Sequence, residues 1–199
     1  MIYRTPKTSE SAILTQIHLA AFKDFFLTTL GKKFLNTYYN ACLKSAESIS
    51  ICAIDESNQI VGFSIGCIQA KGYHKRLIKQ NLLQFLLQGI VILFSKPGAL
   101  WRLAKNMEKN KITIDDGHYA ELLSIAVSPK AKGFGIGKEL IAQFELEAKV
   151  KGCLKVALTT DFYNNDDVIA FYKKSGYEVF YEFTTYPKRR MYKLIKNLA

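Results

Sequence analysis

Metal and disulfide chemistry have little to work with in this chain. Its four cysteines, Cys42, Cys52, Cys67 and Cys153, are scattered over 199 residues, with no C-x-x-C pair and three histidines in all. That spacing argues against zinc frameworks and disulfide scaffolds, and predicts reduced, partly buried thiols and no metal site. A cleavable leader is also lacking, since Met1 to Glu10 is polar, so a cytoplasmic location is expected. Repeats, low-complexity tracts and linkers are missing too, and the length suits one domain over residues 1–199. Negative charge is scarce: 17 Asp and Glu stand against 28 Lys and Arg, a net charge of +11. No single basic helix or nucleic-acid motif gathers that excess, so a nucleic-acid partner is not expected. A lysine-rich surface, an anionic ligand, an anionic acceptor and a membrane face all remain compatible with it.

What is present centres on residues 118–151. The apolar run Leu122 to Val127 reads as a buried strand, and Pro129, which can donate no ladder hydrogen bond, stops it. Lys132-Gly133-Phe134-Gly135-Ile136-Gly137-Lys138 then turns the chain into a helix carrying Leu140, Ile141, Phe144 and Ala148 at helical spacing. Alternating glycines let backbone N–H groups approach a ligand with no Cβ in the way. The positive end of the helix points to the same place, which makes an anion site suited to a pyrophosphate. The Walker pattern fails at Lys132 and Glu139, and the Rossmann spacing fails because the glycines alternate in mid-chain.

Elsewhere the pattern predicts a short first strand at Ile2-Tyr3-Arg4. A helix capped by Thr8 or Ser9 follows to about residue 21, and a second helix covers about 31–45. The aromatic segment 22–27 between them anchors the two helices or lines an acceptor pocket. Ser48–Ile54 and Ile60–Ile68 read as a hairpin. Leu77 to Phe94 is nearly all apolar, with Asn81, Gln84 and Gln88 on one stripe. Three amides and a lysine argue against a bilayer span, and a mostly buried or surface-lying helix is expected. Pro97 fits the first turn of a further helix, with Leu100, Leu103, Ala104 and Met107 opposite Arg102, Lys105 and Lys109. This 71–110 insert reads as a helical hairpin capping the sheet or forming a homodimer interface; peripheral contact with an anionic membrane is the sharper alternative. Ile112–Ile114, His118–Val127 and Leu154–Thr160 read as strands. Asn165 to Lys174 reads as a helix capped by Asn164 or Asn165 and ended by Gly176, and roughly Tyr177–Thr185 and Arg189–Ile195 as two last strands.

Lys132-x-x-Gly135-x-Gly137 after a strand ending Val127-Ser128-Pro129 resembles the acetyl-CoA signature of the GNAT N-acetyltransferases, with Lys132 in place of the usual Arg or Gln. Asn165-Asp166-Asp167-Val168-Ile169-Ala170-Phe171-Tyr172-Lys173-Lys174-Ser175-Gly176-Tyr177 is similar to that family's second signature, with Val168 at the usual Ala position. The two stand in the family's order, and the likeness spans the chain apart from 71–110. It implies an α/β (α+β) fold: a mixed, mostly antiparallel sheet of six to seven strands, splayed at strands 4 and 5 and flanked by helices, with a helical insert between strands 3 and 4. Acetyl-CoA would lie in the splay, held by the backbone of Ile125, Ala126 and Val127 beside a bulge there. Lys132, Gly133, Phe134, Gly135, Ile136, Gly137 and Lys138 would hold its diphosphate, with Asn165 as a further contact.

The resemblance also implies direct transfer of acetyl to a primary amine. Tyr172 maps onto the family's general acid for the departing thiolate. Glu121 on the central strand is the best-placed carboxylate for a base, with a water relay as the alternative, and His118 is a weaker candidate. The insert and the Phe22–Leu27 opening resemble a bacterial subset associated with surface-glycan pathways, which implies an amino-sugar acceptor. A peptide or protein amine, or a non-catalytic acyl-CoA-binding or membrane-docking module, are the competing readings.

Overall fold

The computed structural model describes residues 1–23, 25–107 and 115–198. The expected strand Ile112–Ile114 and Lys109 lie outside the described residues, and the stripe Leu100, Leu103, Ala104 and Met107 lies outside the described side chains. Seven strands form one sheet: β1 (Ile2–Arg4), β2 (Ser48–Ile54), β3 (Ile60–Cys67), β4 (Ala120–Val127), β5 (Lys155–Asp161), β6 (Glu178–Thr185) and β7 (Arg189–Asn197), in the order β1-β2-β3-β4-β5-β7-β6. Every neighbouring pair is antiparallel except β4 with β5.

Helices cover both faces, which is why β2 and β3 are buried along almost their whole length. On one face α1 (Ser11–Ala21), α2 (Phe26–Thr29) and α3 (Lys32–Lys44) bring Leu14, Leu35 and Tyr39 onto Cys52, Phe63 and Ile65. On the other, α7 (Ile136–Val150) and α8 (Asp166–Lys174) bring Ile141, Phe144 and Tyr172 onto Leu122, Val156, Leu158 and Leu194. The start of α1 departs from expectation. Thr8–Glu10 forms a 3-10 turn, and Glu10 rather than a hydroxyl accepts the Lys7 N–H at 2.6 Å while pairing with Arg4.

The irregularity in β4 lies earlier than the resemblance implied. Ile65 pairs with Ser124 and Gly66 with Leu122, so Leu123 is the extra residue and Ile125, Ala126 and Val127 remain in register with β3. A bulge flips the alternation of faces. Leu122, Ile125 and Val127 therefore face α7, while Ser124 and Ala126 face α1 and α3. Gly66 makes this crossing possible, because a Cβ there would lie 2.1 Å from the Glu121 carbonyl oxygen and 2.6 Å from Phe144 Cζ.

The insert departs from the single helix expected over Leu77 to Phe94. The apolar run breaks at Asn81, whose side chain donates to the Leu77 carbonyl at 3.0 Å, and the chain bends by 96° from α4 (Tyr73–Gln80) into α5 (Leu82–Ser95). α5 seats itself through Phe85, edge-on to Phe34 at 6.0 Å, and through buried Ile92. Gln88 is half-buried beside them, so the amide stripe does not face outward as a unit. Instead Leu83, Leu86, Leu87, Ile90, Val91 and Phe94 are exposed, Leu83 at 71% and Phe94 at 84%. Helix α6 (Pro97–Met107) completes the insert and lays Arg102 over the Phe26 ring at 4.7 Å.

Candidate active site

Gly133 and Gly135 have φ of +91° and +72°, with open space where a Cβ would stand. Backbone conformation, not packing, requires glycine at both. Gly137 differs: its missing Cβ would lie 3.8 Å from Phe171 Cζ, so it marks where α8 meets the start of α7. Ser64 Oγ donates to the Leu140 carbonyl at 3.2 Å and ties α7 to β3. Among the described residues, the N–H groups from Gly133 to Lys138 donate to no protein acceptor. They are orphan donors at a helix start. Lys130, Lys132 and Lys138 stand exposed in the same stretch, and Phe134 is 79% exposed.

This loop leaves the end of β4 at which the sheet opens. β4 pairs with β5 only at Ala120–Val156, Glu121–Ala157 and Leu122–Leu158, yet β4 runs on to Val127 and β5 to Asp161. Beyond Leu122 the β5-facing edge of β4, which includes Ile125, Ala126 and Val127, has lost its ladder partner. α8 packs beside the opening. Its Tyr172 is 7% exposed and shares a core cluster with Leu122 and Leu158. Burial pushes the phenol up to about 12, and among the described residues nothing hydrogen-bonds its hydroxyl. Asn165 takes the cap position of α8, but its amide makes no cap bond. It donates to Thr160 Oγ1 at 2.6 Å and to the Asp161 carbonyl at 2.9 Å, holding the start of α8 against the end of β5.

Across the sheet from α8, Glu121 is buried in an ion pair with Lys193 of β7. The Lys193 ammonium also lies 5.0 Å above the Tyr119 ring. Tyr119 donates to Asp115 at 2.8 Å, and Tyr181 donates to the same carboxylate. Burial would raise Asp115, but the bonds from Tyr181, Tyr119 and the Gly117 N–H, with the Lys193 charge, outweigh it and hold it below its ordinary value. Both phenols are pushed up, first by burial and then by that carboxylate. A second buried chain ends at the bulge, where the Tyr39 hydroxyl lies 2.6 Å from His18 Nδ1 and 3.1 Å from Ser124 Oγ. Burial lowers His18 to about 4, so the ring is neutral at neutral pH, and its Nε2 has no protein partner among the described residues.

The residues expected from sequence thus fall into two groups. Ile125 to Val127 and Lys132 to Lys138 lie along and beyond the unpaired end of β4, Asn165 is held to the end of β5, and Tyr172 shares a core cluster with Leu122 and Leu158; Glu121 faces the opposite side of the sheet. His118 is exposed at the strand end, near Gln69. Lys193, Asp115, Tyr119, Tyr181, His18 and Tyr39 escaped the sequence reading. A lysine between Tyr192 and Leu194 in a strand was the one available signal, but alternation alone does not identify its partner.

A family model described as the acetyltransferase (GNAT) family matches residues 14–177. No curated protein sequence matches. Among solved structures, an aminoglycoside 6'-N-acetyltransferase complexed with coenzyme A superposes with a TM-score of 0.62 at 14% identity, covering 100% of this chain and 98% of that one. The Escherichia coli N-acetyltransferase of a ribosomal-protein alanine gives 0.63 at 12% identity, covering 100% and 94%. The Thermoplasma acidophilum PaiA N-acetyltransferase, in complex with coenzyme A, gives 0.56 at 15% identity, covering 98% of each chain. At such identities the likeness establishes the fold.

Proposed function

Because the chain belongs to the GNAT family of acetyltransferases, we propose that it transfers acetyl from acetyl-CoA directly to a primary amine of a small acceptor, an amino sugar in the first instance. The observation that carries this reading is the opening beyond Leu122, with unbonded amides at its mouth and buried Tyr172 sharing a core cluster with Leu122 and Leu158 beside it. Orphan N–H donors at Gly133 to Lys138, at the positive end of α7 and among exposed lysines, suit a diphosphate. The unpaired edge of Ile125, Ala126 and Val127 suits the amides of a pantetheine arm, which would add to the sheet as a strand does. Asn165 contributes by holding the start of α8 in place. The donor supplies a thioester carbonyl that an amine can attack, with a thiolate leaving.

In this reading Tyr172 gives the departing sulfur its proton. Burial raises the phenol to about 12, so it is protonated at neutral pH and hydrogen-bonds the charge developing on sulfur before the proton passes. Glu121 receives the amine's proton directly or through a water, and its ion pair with Lys193 fixes where that carboxylate stands. Holding amine and thioester in one cleft supplies much of the acceleration.

A small acceptor fits better than a peptide because the acceptor side is bridged. Arg189, paired with Asp161, lies over the Phe25 ring at 5.2 Å and joins the β6–β7 hairpin to the α1–α2 loop. Lys96 and Arg102 tie the insert to Thr29 and Phe26 from above. The basic surface suits a phosphate-linked sugar, as expected for a surface-glycan pathway. Calorimetry with CoA and acetyl-CoA, then thiol release across amino sugars, polyamines and peptides, tests the reading. Heat with the donor and acceptor-dependent thiol release are expected. No heat from the folded chain would overturn it, and turnover with peptides alone would favour the protein-amine reading.

A further inference from the structure

The outward face of α5 has no use in the acetyl-transfer site. Leu83, Leu86, Leu87, Ile90, Val91 and Phe94 recur at helical spacing, and each is more than half exposed. A contiguous apolar stripe of this kind on a surface marks an interaction site. Its charge setting narrows the partner. From Ser57 to Met107 the sequence contains no Asp or Glu, although the whole chain has 17. The same stretch carries Lys71, Lys75, Arg76, Lys79, Lys96, Arg102 and Lys105. On α6, Trp101 is 58% exposed with the Lys105 ammonium 5.2 Å from its ring. An exposed indole beside a cation is the composition of a membrane–water boundary.

From these observations we infer that α5 and Trp101 rest in the headgroup–acyl boundary of an anionic phospholipid bilayer, with the surrounding lysines on lipid phosphates. A bilayer supplies both chemistries that this face lacks, apolar carbon and negative charge. A second copy would supply only the first, because it would oppose one carboxylate-free basic segment with another. α5 lies on the membrane and does not cross it. Its 14 residues span about 21 Å, short of a hydrocarbon core about 30 Å thick. Among the described residues, no single helix is long and apolar enough to cross.

Co-sedimentation of the full chain with vesicles of phosphatidylcholine, with and without phosphatidylglycerol, tests the inference. Binding to the anionic vesicles is expected, with little to phosphatidylcholine alone. Leu86→Glu/Ile90→Glu should abolish binding. Both positions are solvent-exposed, so the thermal midpoint should not fall. Lys75→Glu/Lys79→Glu, on exposed positions of α4, should weaken binding by about tenfold or more and keeps the test valid if the first pair misfolds. Absence of binding, equal binding to both vesicle types, or binding indifferent to both variant pairs would overturn the inference. So would a dimer by light scattering that Leu86→Glu/Ile90→Glu converts to monomer. None of these readouts depends on acetyl transfer.

Discussion

The loop from Lys132 to Lys138 and the outward face of α5 are both exposed, and they are unfinished in opposite senses. Among the described residues, the loop offers N–H donors without acceptors, and it has glycines at positive φ with open space beside them. α5 offers carbon without carbon to cover it. Folding ordinarily resolves both deficits inside the protein, because an orphan donor and an exposed leucine each cost free energy relative to a satisfied state. That neither is resolved here points outward, and the kind of deficit names the partner. Unbonded amides at a helix start specify an anion. The apolar stripe in a basic segment is the ground on which a lipid surface is proposed. If the two serve separate partners, changes in the cleft should leave vesicle binding untouched and changes on α5 should leave CoA binding untouched.

The largest separation should come from Glu121→Gln. Removing one member of a buried ion pair leaves Lys193 uncompensated and should cost about 3–5 kcal/mol of stability, read as a lower urea midpoint. Adding Lys193→Met should recover much of that loss. Turnover that stays low in the stabilised double variant supports Glu121 as the base; turnover that returns with stability makes the pair structural. Next, Tyr172→Phe should lower kcat by about a hundredfold or more while the heat of CoA binding stays the same. Unchanged turnover would reduce Tyr172 to the core aromatic that its contacts with Phe171 and Tyr177 also suit. In both variants vesicle binding should match the parent, and a joint loss would break the contrast between the two regions.

How legible each part was in the sequence follows the same division. Glycines at positive φ, a proline that stops a strand and apolar residues at helical spacing are local signals. They placed β4, the loop, α7 and α8 within a residue or two. The bulge was legible as a likeness but not in position. It is set at Leu123 by the close approach of Gly66 to the Glu121 carbonyl and Phe144, three segments far apart in sequence. The Glu121–Lys193 and Asp115–Tyr181 contacts were hidden for the same reason, since strand alternation gives a face and never a partner. For α5 the apolar run left a mostly buried and a surface-lying helix both open and could not choose between them. Tertiary packing gave the inward side to Phe85, Gln88 and Ile92 and left the leucines outside.

Acid tests the buried His18–Tyr39–Ser124 chain that ends at the bulge. His18 is held neutral by burial at about 4 in the folded chain, against about 6.5 when unfolded. Above that value neither state binds the proton and no stability is lost. As pH falls toward 4 the unfolded chain takes a proton that the folded one refuses, so stability should drop by up to roughly 3 kcal/mol. Urea midpoints between pH 7 and pH 4 should show this slope, and His18→Gln should flatten it whatever its own stability.

The smallest effect decides the most about the loop. Gly135→Ala puts a Cβ at φ +72°, where nothing lies within 4 Å, so it introduces backbone strain and no clash. A non-glycine residue in that region costs about 1–2 kcal/mol. If the loop held its shape only to turn the chain into α7, that cost would fall on folding alone and lower the unfolding midpoint. If the same geometry aims the amides at a diphosphate, relaxation of φ misdirects them. CoA should then bind about tenfold more weakly in a variant whose folded state is otherwise retained. Calorimetry at matched folded fraction separates the two outcomes, and vesicle binding by the same variant should not change. A stability loss with unaltered CoA affinity would leave the amides as bystanders and remove the contrast with α5.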